Sequence, residues 1–124
     1  MSAQLAEISA LPALRGIPVF WTEMEAEGRS LEVELLAFDR RVAFDEAEDW
    51  VSRHQAPWRI GGKVHMEAFV RLPLLEEGLP VLSDGDEEHA LYLAPNARVR
   101  EPAPVFRNIS HPRGVCFLLI REKE

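Results

Sequence analysis

The sequence predicts an α+β fold: a mostly antiparallel sheet of about five to seven strands with one main helix packed on it. Two observations indicate this fold. Apolar and polar residues alternate in several short segments, as they do in strands that bury one face, whereas residues 44–55 have the apolar spacing of an amphipathic helix. The segments follow each other roughly as ββαβ and then more strands. We expect a single α+β domain, residues 1–124.

Length and composition are those of an ordinary globular domain. Of the 124 residues, 47% are hydrophobic and 28% charged. No apolar run approaches the roughly 18 residues of a membrane helix, and the first residues lack the basic leader of a signal peptide. With one cysteine there is no internal disulfide, so we expect a cytoplasmic protein.

Two helices are predicted. A short N-terminal helix begins at Ser2, which can cap it. The main helix, about 44–55, has a capping-box-like start in which Glu48 follows Asp45 by three residues. The stripe that we expect to pack on the sheet consists of Phe44, Ala47, Trp50, Val51 and His54.

A β-hairpin is predicted over residues 18–38. Its strands bury apolar residues on one face only if Met24 pairs with Leu31, Thr22 with Val33 and Phe20 with Leu35. This register needs a two- or four-residue loop around Glu27-Gly28, because a three-residue loop would set Met24 against a glutamate. The register also sets Glu23 opposite Glu32, a like-charge pair that costs roughly a few tenths of a kcal/mol. We therefore expect a positive group over this pair.

A third strand is predicted over Lys63–Leu72, where apolar and polar residues alternate with Phe69 as the exception. Gly61-Gly62 before it has the composition of a tight turn. Such a turn would pair Trp58 with His65.

The C-terminal half is predicted to add further strands. Residues 78–83 and 89–94 read as two strands joined by the acidic turn 84–88, and Pro80 pushes the first of them toward a sheet edge. Residues 98–112 are interrupted by prolines and predicted to be irregular. Gly114–Ile120 is apolar on both faces, which is typical of a central, fully buried strand.

Charge is distributed unevenly along the chain. Residues 1–50 contain 11 Asp and Glu against 4 Arg, whereas residues 51–124 contain 10 of each sign. Within the second half, residues 98–121 carry only Glu101 against five arginines, which are Arg98, Arg100, Arg107, Arg113 and Arg121. These arginines either form salt bridges over the acidic hairpin of the same chain or leave the molecule electrostatically bipolar.

No catalytic, cofactor or metal signature is present. The four histidines lack the spacing of a zinc site. The segment 84–89 resembles the start of a calcium loop, but His89 replaces the required Gly and Pro95 the bidentate Glu, so a solvated acidic turn is favoured over a weak cation site. Cys116 lies within an apolar strand and is interpreted as a buried structural thiol.

The leading functional hypothesis is a small regulatory protein-interaction module. Size and charge are those of inhibitor-, antitoxin- or immunity-like proteins, which use an acidic surface to bind a basic surface of another protein. The net charge of −7 argues against direct binding of nucleic acid, and no membrane contact is expected. The predicted binding residues on the hairpin are Trp21, Glu23, Glu25, Glu32 and Glu34.

Two alternatives remain open at this stage. One is a small enzyme with an acid–base site in a cavity between helix and sheet, built from His65 or His54 with Glu67 and Arg71. The other is a structural homo-oligomer in which the hairpin of one subunit meets basic residues of the next, namely Arg98, Arg100, Arg107 and Arg113.

Overall fold

The computed structural model describes residues 14–72, 78–95 and 101–123. Two helices lie in these residues, α1 (Phe44–His54) and α2 (Lys63–Phe69). The strands are β1 (Gly16–Ala26), β2 (Arg29–Phe38), β3 (Val42–Ala43), β4 (Arg59–Ile60), β5 (Val81–Asp84), β6 (His89–Leu93), β7 (Ala103–Phe106), β8 (Ser110–His111) and β9 (Cys116–Glu122). The predicted N-terminal helix falls outside the described residues.

Seven of the described strands form one sheet in the order β1-β2-β9-β5-β6-β7, with β4 also paired to β9. All neighbours are antiparallel except β5 and β9, which are parallel. Strands β3 and β8 form a separate two-stranded ladder. The predicted α+β class with a mostly antiparallel sheet is therefore confirmed.

The predicted hairpin register is confirmed. Met24 pairs with Leu31, and Glu23 lies directly opposite Glu32. The connection is the shorter of the two predicted loops, two residues long, and both of its residues have positive φ, 52° at Glu27 and 75° at Gly28. Two positive φ angles give a turn whose twist matches that of the paired strands.

The sheet is covered by one helix on each face. Phe44, Ala47 and Val51 of α1 pack on one face, and Met66 and Phe69 of α2 pack on the other. Strand β9 lies between both layers and is buried from residue 116 to 120. The continuous apolar run of its sequence is thus explained, and the predicted central strand is confirmed.

Helix α1 has the predicted bounds to within one residue, but its N-terminus is built differently. The N-cap is Ala43, whose backbone N–H donates to Oε1 of Glu46 at 3.1 Å. Alanine has no side-chain acceptor, so this is only one half of a capping box. The expected box of Asp45 and Glu48 is wrong, because both side chains bind Arg107 instead.

The predicted strand over residues 63–72 is wrong, since this segment contains α2. Met66 and Phe69 are fully buried at helical spacing, while Val64 is 39% exposed. Gly62 is the N-cap, and its backbone N–H donates to Nδ1 of His65 at 2.8 Å, so the two glycines are not a hairpin turn. Phe69, the exception to the alternation, is the residue that the helical period places in the core.

Two smaller expectations about the second half are also corrected. Strand β5 is internal, not at an edge, because Pro80 precedes its first residue and uses only its carbonyl, which accepts the backbone N–H of Cys116 at 2.9 Å. The segment 98–112, expected to be irregular, contains β7 and β8.

Neither α1 nor α2 is long and apolar enough to cross a membrane, and the described residues contain no other helix that is.

Alanine substitution at residues 64 and 66 tests α2. Val64→Ala is expected to change the free energy of unfolding by less than about 0.5 kcal/mol, because the side chain is on the surface of a helix. Met66→Ala should cost about 2–5 kcal/mol, because it empties a core position. Urea denaturation measures both. A strand with both side chains directed inward would instead make both variants unstable.

Candidate functional site

The predicted binding residues lie on the part of the sheet that α1 leaves uncovered. Along β2, Leu36 and Phe38 are buried beneath α1, whereas Glu32 and Glu34 on the same face are only partly buried. We call this uncovered region the acidic hairpin face. It consists of Trp21, Glu23, Glu25, Glu32 and Glu34.

A row of charges crosses this face over three neighbouring strands. Glu23 of β1 is opposite Glu32 of β2, which is opposite Arg121 of β9. Nε of Arg121 donates to the Glu32 carboxylate, and Nζ of Lys123 donates to Oε2 of Glu23 at 2.6 Å. The like-charge pair is thus balanced by two cations of the same chain.

Trp58 packs against the Arg121 guanidinium of the ion pair between Glu32 and Arg121. The Arg121 guanidinium lies 4.5 Å from the centre of the Trp58 ring, a cation–π contact. The Glu32 side chain keeps only 20% of its surface exposed. The hydrogen bond from Arg121 is the main reason that the pKa of Glu32 is lowered from its ordinary value. This carboxylate is consequently occupied within the fold.

Three residues of the acidic hairpin face form no ion pair and no cation–π contact in the described part of the chain. Glu25 is exposed and forms no ion pair, and Trp21 keeps 51% of its surface exposed. Glu34 lies opposite Trp21, and burial raises the pKa of its carboxyl. The part of the face that can meet another molecule is therefore smaller than the sequence suggested.

Two exposed apolar residues precede Trp21 along β1. Ile17 and Val19 are each 47% exposed, and the pairing with β2 is irregular between Pro18 and Phe20. A β-bulge at such a point turns side chains away from the regular pleat. Strand β1 thus presents an exposed apolar half followed by an acidic half.

Arg107 is bound within its own chain, far from the hairpin. It contacts Oδ1 of Asp45 at 3.0 Å, Oε1 of Glu48 at 2.9 Å and Oδ1 of Asp84 at 2.5 Å. Its guanidinium also lies 4.6 Å from the centre of the Phe44 ring, and the side chain is only 15% exposed. Arg107 thereby joins the start of α1 to β5.

The other basic residues of the predicted oligomer contact have different positions. Arg113 is exposed, whereas Arg98 and Arg100 lie outside the described residues. Of the two cations that balance the hairpin, Arg121 belongs to the arginine-rich segment singled out from the sequence and Lys123 does not.

The residues of the enzyme hypothesis lie on two different helices. His54 is the last residue of α1, and its ring is tilted against that of Trp50 with the centroids 5.1 Å apart. His65 and Glu67 belong to α2, and Arg71 follows the end of that helix. An open cavity of about 360 Å³ adjoins His65, but none of His54, Glu67 and Arg71 lines it. Burial is the main cause of the lowered pKa of His65.

The acidic turn before β6 is held together by its own hydrogen bonds. Oδ1 of Asp86 accepts the backbone N–H groups of Glu88 and His89, each at 2.8 Å. The described residues contain no group of three or more His, Cys, Asp or Glu arranged to hold a metal ion. Burial raises the pKa of the Cys116 thiol to about 11, consistent with a structural cysteine.

Sequence reasoning missed Lys123 and Trp58 as parts of this region. Lys123 follows Arg121 by two residues, so the strand period places both on one face. The sequence does not reveal that β9 pairs with β2, because these strands are about 80–90 residues apart. Without that pairing, neither residue could be assigned to the hairpin.

Replacing Glu32 by Gln should make stability less dependent on acid. A lowered pKa contributes stability that is fully present above the ordinary value of glutamate and is lost as the pH falls through the lowered value. Glu32→Gln should therefore unfold at lower urea concentration than the wild type at pH 7, and the difference should be smaller at an acidic pH below the lowered pKa of Glu32.

The matched control is Glu25→Gln, which removes the same charge from an exposed side chain without an ion pair in the described residues. It should lose no stability at either pH. Equal losses for the two variants at pH 7 would refute the stabilising role of the ion pair with Arg121.

Arg107→Met should destabilise the protein by about 2–3 kcal/mol at pH 7, because three carboxylates lose their common cation. Even with Arg107 in place, burial raises the pKa of the Glu48 carboxyl. The folded state therefore loses stability when Glu48 deprotonates as the pH rises through this raised pKa. Urea denaturation at pH 7 measures the loss. Arg107→Lys, which keeps the charge, should lose less at pH 7, and equal losses for both variants would contradict an electrostatic role.

Comparison of this chain with known proteins is a source of functional evidence independent of its geometry. No protein-family model, curated protein or solved structure matches it. The charges, contacts and exposed residues of the hairpin are therefore what supports a function.

Proposed function

We propose that this chain is a small regulatory interaction module that binds a basic surface of a partner protein through its acidic hairpin face. One observation carries the proposal. Half-exposed Trp21 lies on the same strand and sheet face as Glu25, whose charge has no partner in the described part of the chain. An aromatic anchor beside unbalanced charge is a common composition of a protein-binding surface.

The internal ion pairs reduce the number of glutamates that we expect to bind the partner. Glu23 and Glu32 already hold Lys123 and Arg121, so a partner gains less from them than from an unpaired carboxylate. Glu25 and Glu34 carry the charge that a basic partner would neutralise. The partly buried carboxylate of Glu34 accepts no hydrogen bond from a cation in the described residues, so a cation of the partner could supply one.

The proposal places the chain in the functional class of inhibitor-, antitoxin- and immunity-like proteins, acting in the cytoplasm. Such proteins block a partner by covering a basic surface. Association between surfaces of opposite charge is fast, and salt slows it. The net charge of −7 supports a basic partner and disfavours a nucleic acid.

A charge-reversal experiment tests the proposal. The wild-type protein is immobilised, and proteins bound from the lysate of its source organism are eluted with a salt gradient and then purified. Glu25→Lys should weaken the affinity of the captured partner roughly tenfold, because an attractive pair becomes a repulsive one.

Glu87→Lys is the matched control, since it makes the same charge change at an exposed residue in the turn before β6. It should bind within about twofold of the wild type. A partner that binds Glu25→Lys and the wild type equally well would exclude the acidic hairpin face as the binding surface.

A further inference from the structure

One long strand of the sheet has an unpaired edge in the described part of the chain. Strands β1 and β7 are the two ends of the sheet, and β1 is 11 residues long whereas β7 has four. Strand β7 also contains Pro104, which has no N–H to donate, so that edge is a poor template for another strand. Strand β1 is regular from Phe20 to Ala26 and has no proline there.

The register identifies which backbone groups of β1 point away from the sheet. In a hairpin with a two-residue turn, the closing pair, here Ala26 and Arg29, exchanges hydrogen bonds, and the next pair does not. Consistent with this, the carbonyl of Ser30 accepts the N–H of Lys123, at 3.1 Å, on the β9 side. The alternation then directs the N–H and C=O of Glu25 outward.

Counting back in steps of two, the outward groups of β1 are those of Trp21, Glu23 and Glu25. The Thr22 hydroxyl lies 3.5 Å from the Glu23 carbonyl, at the limit of a hydrogen bond, and a carbonyl oxygen can accept a second donor. The residues with open backbone groups are thus also those that place an aromatic ring and two carboxylates on the acidic hairpin face.

We propose that β1 is a template for strand addition, and that its occupant is an extended basic segment of a partner protein, in which every second residue is Lys or Arg. The proposal rests on the proposed function and specifies its mode of binding. Residues of the added strand opposite Trp21, Glu23 and Glu25 share their face, where Glu25 supplies negative charge without an ion pair in the described residues and Trp21 supplies an aromatic ring. The intervening residues lie beside Thr22 and Met24, at the margin of the core under α2, and are apolar.

The negative charges on β1 favour a basic segment of a partner over a second copy of β1 as the added strand. In antiparallel self-pairing centred on Glu23, the two Glu23 side chains would face each other and each Trp21 would face Glu25 of the other copy. Acidic side chains on an edge strand oppose this kind of pairing. The same side chains attract a strand that carries cations at alternate positions.

The probe is a synthetic peptide, acetyl-Gly-Lys-Val-Lys-Val-Arg-Gly-amide, titrated into the full chain. We expect amide hydrogen exchange at Trp21, Glu23 and Glu25 to slow by about tenfold or more on binding, because these N–H groups gain acceptors. The amides of Thr22 and Met24, which face β2, should not change.

N-methylated peptides separate strand addition from attraction between charges. Methyl groups on the two Lys and the Arg remove the donors that face β1 and should weaken binding at least about tenfold. Methyl groups on the two valines leave the N–H donors of the Lys and Arg residues in place and should weaken binding by less than about threefold. A peptide of the same composition ordered Lys-Lys-Arg-Val-Val controls for net charge.

Each outcome bears on one proposal or the other. If all peptides bind equally, with no slowed amides, strand addition is wrong while binding through the acidic hairpin face stands. If no peptide binds, strand addition is likewise wrong, and the proposed function is decided by the charge-reversal experiment. If the three amides are already protected in a dimer without peptide, a second copy is the occupant and the proposal is wrong.

Discussion

The fold depends on β9 being buried on both faces and paired along both edges. Its residues 116–120 contact the core under α1 and the core under α2, while β2 lies on one side and β4 and β5 lie on the other. A strand in this position can contain almost no polar side chain until it leaves the core. Arg121 is its first charged residue, and it appears where α1 no longer covers the sheet.

The position of the candidate site follows from this arrangement. Helix α1 is shorter than the hairpin it covers, so the outer part of β1 and β2 extends beyond the helix. Beyond the end of α1 the sheet face can be polar, and glutamates lie there. The core under α1 ends at the point where Glu32 replaces apolar residues of β2, and Arg121 replaces those of β9 at the same level, so the two charges meet where the core ends.

Features set by neighbouring residues could be predicted from the sequence. The hairpin register followed from the match of apolar positions around Glu27-Gly28, and α1 from the spacing of Phe44, Ala47 and Val51. Helix α2 could not be distinguished because seven residues are too few to separate a period of two from a period of 3.6, and only the burial of Phe69 together with the exposure of Val64 decides between them. The partners of Glu23 and Glu32 could not be predicted either, because they come from a strand distant in sequence.

The two-residue turn at Glu27-Gly28 also limits how this region can change in evolution. Side chains of paired strands alternate between faces, so with the turn and β2 in place an insertion or deletion of a single residue in β1 would exchange the two faces for every residue between the start of β1 and the change, unless a β-bulge absorbs it. A change between Met24 and the turn would then direct Glu23 into the core under α2 and Met24 toward solvent. Changes in length that keep both faces must therefore come in pairs of residues or be absorbed by a β-bulge, as the irregularity between Pro18 and Phe20 already does for one residue.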